Sequence, residues 1–559
     1  MRSRLGRVGA AVLLAAAVAV GACGEDGPTH DADHDADHDT DHDAVLGQAT
    51  QRVLHRGNDA EVRSLDPHHA AVTSEARILR DMFWSLTEFA ADGTVEPAAA
   101  KSWEVSDDGL VYTFHLHPGM VWSDGRPHTA HDYVYSVRRI LDPATVAEYA
   151  SMLYPIRNAL AVNAGRLPVT ELGVAAVDDT TLRFELEQPW PAFPQIFTHP
   201  AGAPVPRHVV ERHGRGWTAP ETIVVNGPFK LVDRVLQSHT ALAKNPLFFE
   251  ADTVRLDRVV YYPIEDDAAG VRRFRSGEID VLHQFPTAQH DLLKRQLGDQ
   301  LRVHPYIGSY FYVFNNAVPP FNDARVREAL SLAVDRELII TRVLGDIGYL
   351  PAYGLVAPGM AGYTPLPGLG AAAVPKAERL DRARRLMAEA GWGPDNPVRF
   401  TLSYNTDEDH RKVAVAIARM WAPLGVEATL RNTEASVHFQ SLKQKAYEAA
   451  RSGWIADYAT PENFLFLLKS TTRELNYSNY ANPAYDALMT RAYTAADPAM
   501  RNRLLAEAEA LAMRDFPLLP IYYYVSRALV APHVKGWVDN PPDQHQSRHL
   551  TVARGSSVS

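Results

Sequence analysis

The only cysteine in this chain is residue 23. Everything after it folds without a disulfide and without a cysteine-ligated metal, so the body is held together by its core alone. At 559 residues the chain is long enough to supply that core and, at about 150 residues per domain, to build more than one domain. A hydrophobic fraction of 46% and a charged fraction of 22% suit a globular body. Val111–Leu116 alternates like a half-buried strand, and Leu182, Phe184 and Leu186 repeat the pattern after the turn-forming Asp178-Asp179. Tyr310–Phe314 reads as an aromatic strand, and 518–525, after Pro517, as a buried one. After Asn322-Asp323, an apolar face of Val326, Leu330, Ala333 and Val334 predicts a helix that Gly345 ends. Asp407 predicts the cap of a helix with a buried face of Val413, Ala416, Ile417, Met420 and Leu424, stopped by Gly425. Leu504, Leu505, Ala508 and Leu511 mark one more. Interleaved strands and helices without an internal repeat indicate an α/β protein.

Cys23 also closes a leader. Arg2, Arg4 and Arg7 precede a run from Val8 to Val20 that is almost wholly Ala, Val and Leu, and Gly21-Ala22-Cys23 follows. That order predicts a signal peptide over 1–22, with an apolar stretch too short to span a bilayer. The junction resembles a bacterial lipobox, which implies a lipidated Cys23 and a body tied to a membrane surface. Residues 23–50 then serve as anchor and tether. From Thr29 to Asp43 the run THDADHDADHDTDHD carries dense negative charge without apolar periodicity, and predicts disorder. His30, His34, His38 and His42 recur every fourth residue with Asp between. Two compatible readings stand: a plain tether, and adventitious capture of zinc or nickel, ions that imidazole suits. On a helix this spacing would bring all four rings to one face. The formal net charge of −11, part of it in this run, argues against a nucleic-acid binder.

The sequence contains no GxSxG elbow, no HExxH pair and no GxxxxGK[ST] phosphate loop. The body lacks a thiol nucleophile, so the chain reads as a non-enzyme without a cofactor, a hydrolase being the remote alternative. What the body does contain is an ordered series of motifs. Met82 to Trp122 runs MFWSLTEFAADGTVEPAAAKSWEVSDDGLVYTFHLHPGMVW and continues as SDGRPHTAHDYVYS to Ser136. Val225-Asn226-Gly227-Pro228-Phe229-Lys230 follows, then FRSGEID from Phe274, PFNDARVREALSLAVDRELI from Pro320, and ARSGWIADY from Ala450. Together these resemble the family 5 extracellular solute-binding proteins, and specifically the oligopeptide binders of peptide ABC importers.

The resemblance spans about residues 51–550. It implies the two-lobed periplasmic-binding-protein fold, type II, cluster C, with an extra small subdomain inserted in lobe one. Carried onto this chain, lobe one is 51–82, 207–308 and 525–559, the subdomain is 83–206, and lobe two is 309–524. The implied partners are short peptides and the membrane permease and ATPase subunits of an importer; murein peptides and metal chelates are alternative ligands. The implied form is a monomer whose lobes close on the ligand by a hinge motion. An extended peptide adds to a sheet edge like a further strand, so its charged ends need partners of opposite sign. By the resemblance, Asp457 meets the ligand's α-amino group, Arg451 its carboxylate, and His410 the carboxylate of a longer peptide. Backbone groups at Gly453 and Ile455 pair with the ligand strand. Tyr149, Trp454 and the run Tyr522-Tyr523-Tyr524 are candidates to line the cleft, with Tyr523 counted in the site. Two positions depart from the family pattern: Leu442, beside Lys443, stands where a second arginine is expected, and Ala435 where a tryptophan is expected.

Overall fold

The structure is a computed structural model that describes residues 51–553 except Ala71, Glu474 and Ala496. The leader, Cys23 and the four tether histidines lie outside the described residues.

Two strands organise the body, Leu301–Phe314 with 14 residues and Leu518–Val530 with 13. They pair antiparallel from Leu301↔Leu529 at one end to Val313↔Leu518 at the other. Ala449–Ile455 joins the far half of the first, through Gly308↔Ile455 to Phe314↔Ala449. Val398–Asn405 and Val426–Thr433 extend that side in parallel. On the other side Val281–Leu282 joins the end of the second long strand, followed by Val53–Asn58, Arg258–Pro263, His239–Lys244 and Phe229–Val235. One continuous sheet therefore serves two lobes, and the two long strands cross between them. Their register breaks between Pro305↔Val525 and Ser309↔Tyr523, where three residues face one. The expected lobe edges at 308/309 and 524/525 fall on this bulge.

From Ile307 to Phe314 the first crossover strand is buried on both faces, as a strand covered from two sides must be. Tyr310, Tyr312 and Phe314 enter one core, and Phe311 and Val313 the other. A separate four-stranded antiparallel sheet, in the order Ala100–Val105, Val111–Leu116, Thr181–Glu185, Val174–Asp178, lies within the expected subdomain. Along Val111–Leu116 the alternation buries Tyr112, Phe114 and Leu116. Asp407 caps Glu408–Trp421, its carboxylate accepting from the His410 amide at 2.9 Å.

One helix differs from expectation. Asp323 caps Ala324–Leu332, but the helix stops there rather than running to Gly345. Asp335 caps a new turn, accepting from the Leu338 amide at 3.1 Å. Arg336 turns inward, where its guanidinium donates to carbonyls of Ala352, Pro520 and Ser331. A buried guanidinium needs several acceptors, and an unbroken helix has no carbonyls to spare for it.

Candidate functional site

A cavity of about 360 Å³ opens beside the bulge. Tyr149, His199, Tyr306, Trp454, Ile455 and Asp457 are among the residues that line it, with Arg80 from the helix Thr73–Met82. Trp454 and Ile455, the last two residues of the strand Ala449–Ile455, form its floor, while Gly453, Arg451 and His410 are not among its lining residues. On one edge this strand is paired to the first crossover strand over its whole length. On the other edge Val398–Asn405 reaches only Ala449 and Ala450. From Arg451 to Ile455 that second edge has no partner strand among the described residues.

Strand alternation decides which backbone groups face the open edge. The Ala456 amide donates to Ile307 of the crossover strand, so the positions alternating with it, Ile455 and Gly453, point away from that strand. Arg451 points the same way, and its carbonyl accepts from His438 Nε2 at 2.8 Å. The amide and carbonyl of Gly453 and Ile455 are thus presented outward. Gly453 also has a steric reason to be glycine: a Cβ there would lie 2.7 Å from the Tyr524 hydroxyl and 3.3 Å from Arg451 Nη2.

The acid lies just past the strand. Asp457 is half-buried. Burial pushes its carboxyl up to about 7, against the opposing pull of the Arg80 cation and a hydrogen bond with Asn463. Among the described residues no Lys, Arg or His nitrogen comes within ion-pair distance of it. Arg80 itself donates to the Thr198 carbonyl at 3.1 Å. Asn463 Oδ1 accepts from the Asp457 amide at 3.1 Å and from Trp454 Nε1 at 2.9 Å, which fixes the loop to the floor. Tyr149 and His199 close the opposite wall, with ring centroids 4.7 Å apart. Burial, then the Arg80 charge, lowers His199 to about 3, so this ring is neutral at physiological pH.

The cation lies at the other end of the open edge. Arg451 is 7% exposed and donates to Tyr524 Oη at 2.6 Å and Asn405 Oδ1 at 3.1 Å. Its guanidinium stands 4.8 Å from the centre of the Tyr310 ring, which is stacked on Tyr522 at 4.5 Å. No carboxylate pairs with it among the described residues. His410 approaches the same ring, with centroids 5.4 Å apart. Burial, followed by the charge of Arg451 and by His438, holds His410 well below its ordinary value, so it serves as a neutral donor or acceptor.

Tyr523 is not among the residues that line the cavity. Successive residues of a strand face opposite ways. Tyr522 and Tyr524 turn toward Tyr310, so Tyr523 turns to the opposite face, where its hydroxyl donates to the Gly354 carbonyl at 3.1 Å. At the two departures, Leu442 is fully buried and Lys443 is exposed at the end of Ala435–Lys443. Reading the sequence missed Arg80, His199, Tyr306 and Asn463. Only Asn463, six residues after Asp457 in a turn-rich stretch, carried a local signal.

A sheet continued through two crossover strands, with a cavity beside the crossover, defines a two-lobed solute-binding protein. The sequence matches "Bacterial extracellular solute-binding proteins, family 5 Middle" over residues 94–476. It is 39% identical over 505 residues to the periplasmic oligopeptide-binding protein OppA of Salmonella typhimurium, spanning 88% of this chain and 91% of that one. It is also 37% identical over 508 residues to the probable deoxycholate-binding periplasmic protein YgiS of Escherichia coli, spanning 90% and 94%. The structure of the E. coli murein tripeptide binding protein MppA superposes with a TM-score of 0.81 at 35% identity, over 91% of this chain and 99% of that one. The chain belongs to the family 5 bacterial extracellular solute-binding proteins.

Proposed function

We propose that this protein captures short peptides in the cavity and delivers them to the permease and ATPase subunits of an ABC importer. One observation carries the proposal. The edge at Gly453 and Ile455, without a partner strand among the described residues, lies between a carboxylate and a guanidinium, neither of which has an ionic partner among those residues. A zwitterionic peptide laid along that edge completes its backbone bonds as an added strand. Its ammonium meets Asp457 and its carboxylate meets Arg451 through a charge-assisted, bidentate contact. The Arg451 guanidinium folds over Gly453, four residues before Asp457. An extended interval of that length spans at most roughly 13 Å, which suits a tripeptide or tetrapeptide. His410 stands further along to meet a longer chain.

The lobe boundaries drawn from the resemblance belong to this proposal, with closure hinging at the 306–308 bulge. So do a lipid anchor at Cys23 outside the cytoplasm, a monomeric state, a binding rather than catalytic role, and a tether that at most collects stray zinc or nickel. Murein peptides fit the same two charges. A bile acid such as deoxycholate offers a carboxylate but no amine, and would leave Asp457 unmet. Calorimetry with a free tripeptide, its N-acetylated form and deoxycholate tests the reading. Tight binding of the free tripeptide alone supports it; equal binding of the free and acetylated forms refutes it.

A further inference from the structure

Behind the wall formed by Tyr306 and Gln544 lie three side chains for which peptide binding has no use. His304 stands on the first crossover strand just before the bulge; Asp543 and His545 stand on the C-terminal segment. One ring nitrogen of His304, a carboxylate oxygen of Asp543 and one ring nitrogen of His545 all lie within 4.8 Å of one another. Asp543 Oδ1 is 3.5 Å from His304 Nε2 and 3.0 Å from His545 Nε2.

The hydrogen bonding around His304 makes this more than a chance cluster. Its Nδ1 lies 3.1 Å from the Pro305 carbonyl. A carbonyl only accepts, so Nδ1 carries the proton, and in the neutral ring Nε2 is a bare lone pair. The side chain is 8% exposed, and Nε2 is buried without a hydrogen bond among the described residues. That nitrogen faces a carboxylate oxygen, an arrangement that holds only with a positive charge between them, either a second proton on the ring or a metal ion. The other members are braced as ligands are. Ser526, from the second crossover strand, donates to Asp543 Oδ1. The Trp537 indole stacks on the His545 ring with centroids 3.6 Å apart. A carbonyl on one imidazole and a hydroxyl on the carboxylate are the outer contacts that orient metal ligands. The two nearby guanidiniums have other partners: Arg77 pairs with Asp59 at 2.6 Å, and Arg56 donates to the His545 carbonyl at 2.9 Å and meets His283.

We propose that His304, Asp543 and His545 form a site for a divalent first-row transition metal ion, zinc above all, distinct from both the peptide cavity and the N-terminal His/Asp run. Two imidazoles and one carboxylate, with a fourth position for water, match zinc chemistry. Tetrahedral bonds of about 2.0–2.1 Å set ligand atoms roughly 3.4 Å apart, and the two measured separations bracket that value. Magnesium and calcium call for more oxygen ligands than this cluster offers. The bound ion ties the C-terminal segment to the first crossover strand beside the bulge, and so stiffens the wall that Tyr306 and Gln544 present to the ligand.

The test uses the full chain, whose N-terminal histidines offer imidazoles of their own, so the readout is a difference. Zinc is titrated calorimetrically into the wild type and into His304→Gln/His545→Gln, and cobalt(II) is followed by its visible absorption. The wild type should bind one more tight equivalent, show the intense bands of a four-coordinate site that the variant lacks, and gain thermal stability with zinc but not with magnesium. Identical titrations for the two proteins overturn the proposal. Should the double variant fail to fold, crystals of the wild type soaked in zinc decide. An anomalous peak between the three side chains supports the site, and zinc found only elsewhere overturns it.

Discussion

Asp457 and Arg451 stand on one segment and carry opposite charges under opposite conditions. Arg451 is prepared in advance. Tyr524, Asn405 and the Tyr310 face hold its guanidinium in place, and its charge does not titrate in any accessible range. Asp457 is held short of its charge. Burial favours its protonated form, and among the described residues no cation approaches closely enough to reverse that. The lesson is that the two ends of a zwitterion need not be gripped in the same way. On the proposed binding mode, one end is a fixed electrostatic socket and the other gains its full charge when an ammonium arrives.

The comparison breaks most decisively at the acid. Asp457→Asn should weaken binding of a free tripeptide about 100-fold, because losing one member of a desolvated charge pair costs about 2–5 kcal/mol. Calorimetry should then find N-acetylated and free peptides alike; a variant that still prefers the free amine places the ammonium elsewhere. Arg451→Met should cost about 30-fold on the same arithmetic, with C-amidated peptides barely affected. Equal losses for acid and amide would detach Arg451 from the carboxylate.

Acidity sharpens the contrast, since only one end titrates. With Asp457 near 7, a protonated acid must release its proton before it can accept an ammonium. Peptide affinity should therefore fall about fivefold from pH 8 to pH 6 by proton linkage, and fall again above pH 8 as the peptide's α-amino group, with a pKa of about 8, loses its proton; Asp457→Asn should abolish the acid-side fall. The ligand-free protein should respond the other way. The folded-state value lies above the ordinary 3.8, so the folded form holds the extra proton. Its contribution to stability is present at low pH and is lost as pH rises toward 7, which thermal melts across that window would record. The smallest effect is expected at the socket: Tyr524→Phe removes one hydrogen bond to Arg451, worth about 1 kcal/mol or roughly fivefold in affinity.

Much of this was legible in local pattern. Val111–Leu116 alternates in sequence and in burial, and Asp323 and Asp407 cap the helices they announce. The expected helix to Gly345 failed because the apolar face of 326–334 says nothing of Arg336, whose acceptors come from residues as distant as Pro520. In the site, the ARSGWIADY motif pointed to Asp457 and Arg451, whereas Arg80 and Tyr306 reach the cavity from elements far away in sequence. The tyrosine run shows the limit most clearly. Period-two alternation requires that Tyr523 oppose Tyr522 and Tyr524, but it does not say which face meets Tyr310.

By itself, the sequence determined the kind of elements, their caps and their order, because propensity, capping and periodicity act over a few residues. Only the tertiary structure decided that one edge of Ala449–Ile455 is left without a partner strand from Arg451 to Ile455 among the described residues, that an acid and a guanidinium flank it, and that His304 meets Asp543 and His545. Strand pairing and the juxtaposition of charges are long-range events. Their outcome depends on how whole elements pack together, and no window of neighbouring residues contains that information.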